Sequence, residues 1–405
     1  MSDTRPRKSD SSASVGTTRH GRLRRPTALG GIFGLVGIVV AVIVVSALAV
    51  VGIAAVQLQA NIAPSVNINP KGSVAPPPNI GVYPGGFNIL LVGDDTRLGQ
   101  GDIGGGIQAD QGALNDVTIL LHVSADHQWA TAISFARDMI IPHVQCSIGG
   151  TGAGLPVNTA LSYGGLPCVA TQISAFTGLP IQFAGLITFT GVIDMSDAVG
   201  GVNVCTTGPM IDNYSGLDLT TGGNHLLTGE TALEFLRSRH GVGDGSDLGR
   251  ISSQQVYLSS LVRKLEAAGT LGNPITDYKL ATVATQNMQL SSSLDSIPTM
   301  ISIATALKGI SPSNIQFVQY PGTTGGTGIY AGKVQPTLSI GNELINQVKA
   351  DEPFTIGTQG DNRGSIVEST GTSSKTLSGT KVINGLVGQS AAEVTCSKAR
   401  PLQDQ

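Results

Sequence analysis

Two kinds of apolar pattern divide this 405-residue chain. Near the N-terminus, Ile32–Val56 (IFGLVGIVVAVIVVSALAVVGIAAV) runs 25 residues without a charge. As a helix rising 1.5 Å per residue it would extend about 37 Å, more than the roughly 30 Å hydrocarbon core of a bilayer. Beyond position 87 the apolar residues come in short runs. FNILLVG (87–93) ends on glycine and predicts a buried strand. VTILLHVS (117–124) and WATAISFA (129–136), separated by the polar stretch Ala125–Gln128, predict a hairpin. Helices are expected at Pro167–Thr177, at Glu230–Leu236 behind Thr228 as N-cap, and along Leu248–Ala268. In the last, Ile251, Leu258, Leu261, Val262 and Leu265 form an apolar stripe, while Arg250, Gln254 and Tyr257 share another face. Strands interleaved with helices in this order predict an α/β fold, an α-β-α sandwich with a mixed central sheet, preceded by one transmembrane helix.

Charge orients the molecule. Residues 1–25 carry seven Lys/Arg against Asp3 and Asp10, which predicts a cytoplasmic N-terminus and an extracellular catalytic domain on a single-pass anchor in the cell membrane. A cleaved signal peptide is the competing reading; the length of the apolar run and the lack of a clear cleavage site favour retention. The remaining residues hold 17 of the 24 Lys/Arg and 25 of the 27 Asp/Glu, a net charge near −8. So acidic a surface excludes a nucleic-acid partner. The expected organisation is a basic tail (1–25), a membrane helix (26–58), a Pro/Asn/Gly-rich stalk (59–86), a catalytic domain (87–350) and a flexible tail (351–405). The tail ends in KVINGLVGQSAAEVTCS, which has enough apolar residues to dock. All four cysteines (Cys146, Cys168, Cys205, Cys396) follow the membrane segment, an even number suited to two disulfides. Of the three possible pairings, Cys146–Cys168 with Cys205–Cys396 is favoured, because it clips the glycine-rich loop between the first two.

Candidate chemistry concentrates in TGETALEFLRSRHGVGDGSDLGRISSQQ (228–255), which places Arg237, Arg239 and Arg250 within fourteen residues of a chain only 13% charged. Arg offers paired donors and a permanent charge, which suits a polyanion such as a diphosphate. A second group follows from the strands. If 117–124 and 129–136 form a hairpin, Asp116 and Arg137-Asp138 meet at one sheet end; if 87–93 runs parallel to 129–136, Asp95 and Arg97 arrive there too. Ligands bind at such strand ends in open α/β sheets. Clustered carboxylates with phosphate oxygens suit Mg²⁺ (or Mn²⁺). Taken singly, each of these residues is an ordinary turn, cap or surface ion-pair residue. Their joint occurrence across five separated motifs points to a site.

In combination, NILLVGDDTR, NDVTILLHV, ISFARDMIIP, NTALSYGG with TGLPIQFAGLITFTGVIDMSDAVGGVNV, and TGETALEFLRSRH with DLGRISSQQ resemble the LytR-CpsA-Psr family over about Phe87–Lys264. The resemblance implies a phosphotransferase that moves a glycopolymer from a polyprenyl-diphosphate carrier to peptidoglycan at the cytoplasmic membrane. It implies Asp95 and Asp116 as metal ligands, with Arg97, Arg137, Arg237, Arg239, Arg250 and Gln254 on the diphosphate. Asp95, Asp138, Arg137 and Arg239 carry the catalysis, with Asp95 and Asp138 both candidates for the base, and Asp247 has an orienting role. The isoprenoid would lie in an apolar cleft walled by 183–199 and the helix after Arg250. Four positions depart from the family pattern: Leu114 and Ser253 replace arginines, Asn115 a Ser/Thr, and Ala136 a proline. Composition looks actinobacterial, which makes an arabinogalactan-like donor plausible. A polyprenyl-diphosphate hydrolase using the same site and a non-catalytic envelope regulator or transcription attenuator are the competing functions.

Overall fold

The computed structural model describes residues 44–46, 49, 52–68, 83–95, 113–146, 152–267, 274–359, 362–367 and 380–405. It divides into Met1–Ile53 and Ala54–Gln405. The basic tail and most of the 26–58 segment lie outside the described residues. Among the described residues, no helix is long and apolar enough to cross a membrane.

An eight-stranded mixed sheet forms the centre of the larger unit. Phe87–Asp94 pairs antiparallel with Asn115–Val123 (Phe87 opposite Val123), which pairs antiparallel with Ala130–Phe135 (Thr118 opposite Phe135). Two reversals make the first and third strands run the same way, so their C-terminal ends lie at one edge with Asn115 and Asp116. Phe183–Ile187 and Ile315–Gln319 continue the sheet in parallel on either side. The alternation within Phe87–Asp94 serves both faces. Leu90 and Val92 pack with the helices Ala160–Thr177 and Leu338–Ala350, whereas Phe87 and Ile89 face Ile303 and Ala306 of Ile297–Lys308. Further along that second face, Ile119, Ala132 and Phe317 meet Leu258 and Val262 of the helix Asp247–Glu266. Helices therefore cover both faces, as expected of an α-β-α sandwich.

Helix limits follow local chemistry. Ser246 caps Asp247–Glu266 by accepting from the Gly249 N–H at 3.1 Å. Thr228 precedes Gly229–Arg237 but makes no side-chain cap bond. The helix expected at Pro167–Thr177 begins earlier, at Ala160, and breaks at Gly164 and Gly165, whose non-helical backbone lets Pro167 follow.

Two regions differ from the expected organisation. The segment anticipated as a stalk is docked where it is described: Val66 N–H donates to Leu290 O at 3.0 Å, and Ile68 is buried in the main core. At its other end Tyr83 packs edge-on against Phe87 and Phe183. The 351–405 region supplies two strands of the central sheet, Phe354–Gln359 and Lys381–Ser390, rather than a flexible tail with only its end docked. Pro, Asn, Gly and Ser dominate the first region, and Gly, Ser and Thr dominate 355–380 of the second. A few apolar residues with distant partners decide the structure, and local pattern does not reveal such partners. Thr395–Ser397 joins a second, four-stranded sheet beside Val202–Thr206. The cysteine pairs are Cys146–Cys168 and Cys205–Cys396, with Cα separations of 5.5 and 4.5 Å.

Candidate active site

Asp116, Arg137, Asp138, Arg239 and Arg250 meet at the sheet edge where the first and third strands end. The Arg137 guanidinium pairs closely with the Asp116 carboxylate. Arg250, only 3% exposed, reaches from the first turn of its helix to the Asp116 carbonyl (Nη2–O, 2.8 Å) and to Asp247 Oδ1 (2.7 Å). Asp247 is itself buried, and its other oxygen accepts the Arg137 N–H at 2.8 Å. One carboxylate thus holds the Arg250 side chain and the Arg137 backbone, from separate elements. Asp138 faces three cations: Lys333 at 3.0 Å, Arg239 at 3.5 Å and Arg137 at 3.9 Å. Burial alone would raise its pKa. The Lys333 hydrogen bond and the three positive charges outweigh burial and hold the carboxyl below the usual range.

Asp95 follows a bulge at Gly93/Asp94 and pairs with Leu114. Its N–H donates to Leu114 O at 3.1 Å and its Oδ1 accepts the Leu114 N–H at 3.0 Å. Burial raises its pKa, and the Asp116 charge adds to the rise. Arg97 lies outside the described residues. Among the described residues no group of three His, Cys, Asp or Glu side chains is arranged to hold a metal. Asp95 and Asp116 instead offer two mutually repelling carboxylates, the smaller donor set that suits Mg²⁺ when phosphate oxygens complete its shell.

Sequence reasoning missed two residues. Asp212, 1% exposed, accepts from Ser238 Oγ and from the backbone N–H groups of Arg239 and His240, each at 2.9 Å. Its burial favours the neutral acid, but those bonds and one from Tyr214 N–H outweigh burial and keep the carboxyl below its ordinary pKa. Asp212 therefore sets the turn that aims Arg239. In sequence it reads only as the first residue of an Asp-Asn turn. Lys333 belongs to no motif. No sequence signal marks it; the structure places it on the connection following Ile315–Gln319, a strand parallel to Ala130–Phe135.

Beside this polar cluster a cavity of about 220 Å³ opens between the sheet and three helices, Phe189–Ala198, Gly229–Arg237 and Asp247–Glu266. Leu91 and Ile119 line it from the sheet, Val192, Met195 and Leu233 from two helices, and Tyr257, Leu258 and Leu261 from the third. Leu258 and Leu261 thus share the cavity with Tyr257 rather than occupying a separate core face. Asp94, Asp116, Arg237, Arg250 and Gln254, with Thr188 and Ser196, form its polar part. Arg237 lies 4.6 Å above the Phe189 ring, a cation–π contact, and Gln254 Nε2 donates to Leu236 O at 2.8 Å.

The departures from the family pattern sit in different surroundings. Ser253 is fully buried, and its Oγ lies 2.7 Å from Ser397 Oγ, where the C-terminal segment leaves no room for a long side chain. Asn115 is buried and bonds Thr118 Oγ1 and Val157 O. Ala136 is buried, and Leu114 pairs with Asp95 through its backbone.

The LytR_cpsA_psr family model matches residues 56–347, most of the chain, and the protein belongs to that family. A cell wall biosynthesis protein, LcpA, from Corynebacterium glutamicum is 29% identical over 66% of this chain and 55% of its own length. A polyisoprenyl-teichoic acid–peptidoglycan teichoic acid transferase, TagU, from Enterococcus faecalis is 29% identical over 52% of this chain and 62% of its own. The chain thus spans about three-fifths of the length of these relatives. The structure of a LytR-Csp2A-Psr enzyme from Actinomyces oris superposes with a TM-score of 0.51 at 20% identity, covering 71% of this chain and 96% of that one. That likeness shows the shared α/β fold. The Corynebacterium relative agrees with the actinobacterial character of the composition.

Proposed function

We propose that this protein is a membrane-anchored, extracytoplasmic phosphotransferase that moves a glycopolymer from a polyprenyl-diphosphate carrier to peptidoglycan. The observation that carries the reading is the apolar cavity ending at Asp116, Arg237, Arg250 and Gln254. A ligand with an isoprenoid tail and a diphosphate head has that polarity. The relatives named for teichoic acid transfer support the same chemistry. The 26–58 segment serves as the anchor, with the catalytic domain outside.

In this reading the tail is held by the cavity walls, worth about 0.8 kcal/mol per buried CH₂. Arg250 binds the phosphate next to the lipid and Arg239 the phosphate bearing the sugar, with Arg137 between them. The Nε–H groups of all three are buried without a hydrogen-bond acceptor among the described residues, as expected of donors kept for an anion. A peptidoglycan hydroxyl attacks the sugar-bearing phosphorus. The new P–O bond forms as the bridging P–O bond breaks, and polyprenyl phosphate leaves with the electron pair. The arginines neutralise the charge that develops. Asp95 or Asp138 accepts the hydroxyl proton, and Asp138 is held ionised by its three cations. Asp95 and Asp116 would hold Mg²⁺ (or Mn²⁺), which supplies further neutralisation of the diphosphate when bound.

The test uses the full-length chain in nanodiscs, given a polyprenyl-diphosphate-linked oligosaccharide with or without peptidoglycan oligomers. Formation of a glycan–peptidoglycan conjugate that stops with EDTA and returns with Mg²⁺ is expected. Diphosphate cleavage without any conjugate would make the protein a hydrolase instead.

A further inference from the structure

Only part of the charge cluster touches the cavity. Asp116, Arg237, Arg250 and Gln254 line it, whereas Arg137, Asp138, Arg239 and Lys333 lie beyond it. In this outer group the single carboxylate of Asp138 has three cations within 4 Å. Arg137 is also paired with Asp116, which leaves Lys333 and Arg239 to share the one carboxylate of Asp138. Such a cluster is short of negative charge.

Lys333 is placed there by backbone as well as by charge. The neighbouring Val334, 2% exposed, donates its N–H to Asp138 O and accepts from Ile140 N–H, both at 3.0 Å. This short ladder holds Lys333 beside Asp138, while its side chain stays 37% exposed and open to a ligand.

We infer that Lys333 and Arg239 form an anion subsite for the phosphate distal to the isoprenoid, the one that carries the glycan. Asp138 keeps the two cations in register until that phosphate arrives. The inference rests on the diphosphate reading of the site and adds a residue outside every motif that supports that reading. It also divides the site by ligand: the cavity half binds a lipid monophosphate, and the outer half distinguishes a diphosphate from it.

Binding to the full-length protein is measured by calorimetry with farnesyl diphosphate, farnesyl monophosphate and inorganic pyrophosphate. Loss of one charge-assisted contact reduces affinity about tenfold. Lys333→Met is therefore expected to weaken farnesyl diphosphate and pyrophosphate by about tenfold and the monophosphate by less than twofold. Lys333→Arg should restore the preference for diphosphate. Lys308→Met, an exposed lysine at the opposite end of the sheet, is the charge control and should change neither ligand. Equal weakening of mono- and diphosphate by Lys333→Met, or weakening of neither, overturns the inference. Pyrophosphate binding that depends on Lys333, in a protein that makes no conjugate, would leave the subsite standing and remove the transferase reading.

Discussion

The two halves of the site are built differently. The inner half, Asp116 with Arg250 and Asp247, lies on a central strand and the first turn of a long helix, and Arg250 and Asp247 are both under 5% exposed. The outer half, Asp138 with Arg239 and Lys333, lies on loops, and its two cations are about one-third exposed. A buried arginine tied to the Asp116 carbonyl and to Asp247 cannot shift without breaking the fold, so the inner half is a fixed seat. Exposed cations around one carboxylate can exchange that partner for a ligand at small cost, so the outer half adapts. Fixed geometry suits a lipid phosphate that is the same in every donor; adaptable geometry suits the phosphate attached to a variable glycan.

The contrast is tested most severely by removing one arginine from each half. Arg250→Ala leaves Asp247 buried without its cation, and such a loss costs about 3–5 kcal/mol. Urea denaturation should show that drop, together with loss of all transfer. Arg239→Ala should lower kcat/KM by about 10²–10³, as removal of one preorganised donor does, while the melting temperature stays near wild type. If Arg239→Ala destabilises the protein as much as Arg250→Ala, the two halves are not mechanically distinct.

A smaller effect concerns the cavity. Val192→Trp should fill part of it and weaken long polyprenyl donors about tenfold relative to a farnesyl analogue, since each excluded CH₂ forfeits about 0.8 kcal/mol. Equal activity on both chain lengths would place the lipid elsewhere.

The smallest effect is a pH dependence of opposite sign in two carboxylates. Asp138 has a depressed pKa in the folded protein, so its stabilisation is present above the ordinary value of about 3.9 and disappears as pH falls through the folded value. Asp138→Asn should therefore lower stability at pH 7 and do so less at pH 3. Asp95 has a raised pKa, so the folded state carries a cost above that value which protonation relieves. Asp95→Asn should stabilise the protein at pH 7, with the gain fading as pH falls through the raised pKa. Denaturation midpoints of both variants between pH 3 and 7 check the two signs together.

Much of the inner half was legible from local pattern. Two apolar runs joined by a short polar turn fix a hairpin, and a hairpin brings Asp116 beside Arg137 whatever surrounds it. The helical spacing of Arg250, Gln254 and Tyr257 likewise put three cavity residues on one face. The outer half was less legible. Asp212 acts through backbone N–H groups 27 and 28 residues away, and Lys333 lies 195 residues from Asp138. No periodicity or spacing links residues so far apart; only the parallel placement of Ala130–Phe135 and Ile315–Gln319 does.

By itself the sequence determined the apolar N-terminal segment, the hairpin, the helix carrying Arg250 and the α/β class, because each follows from the period of neighbouring side chains. Tertiary structure alone decided that residues 354–359 and 381–390 complete the central sheet and that Ser253 must be small. It also decided that Lys333 stands beside Asp138. These outcomes depend on which surfaces bury one another across the whole chain, and that selection is made by the packed core rather than by any local segment.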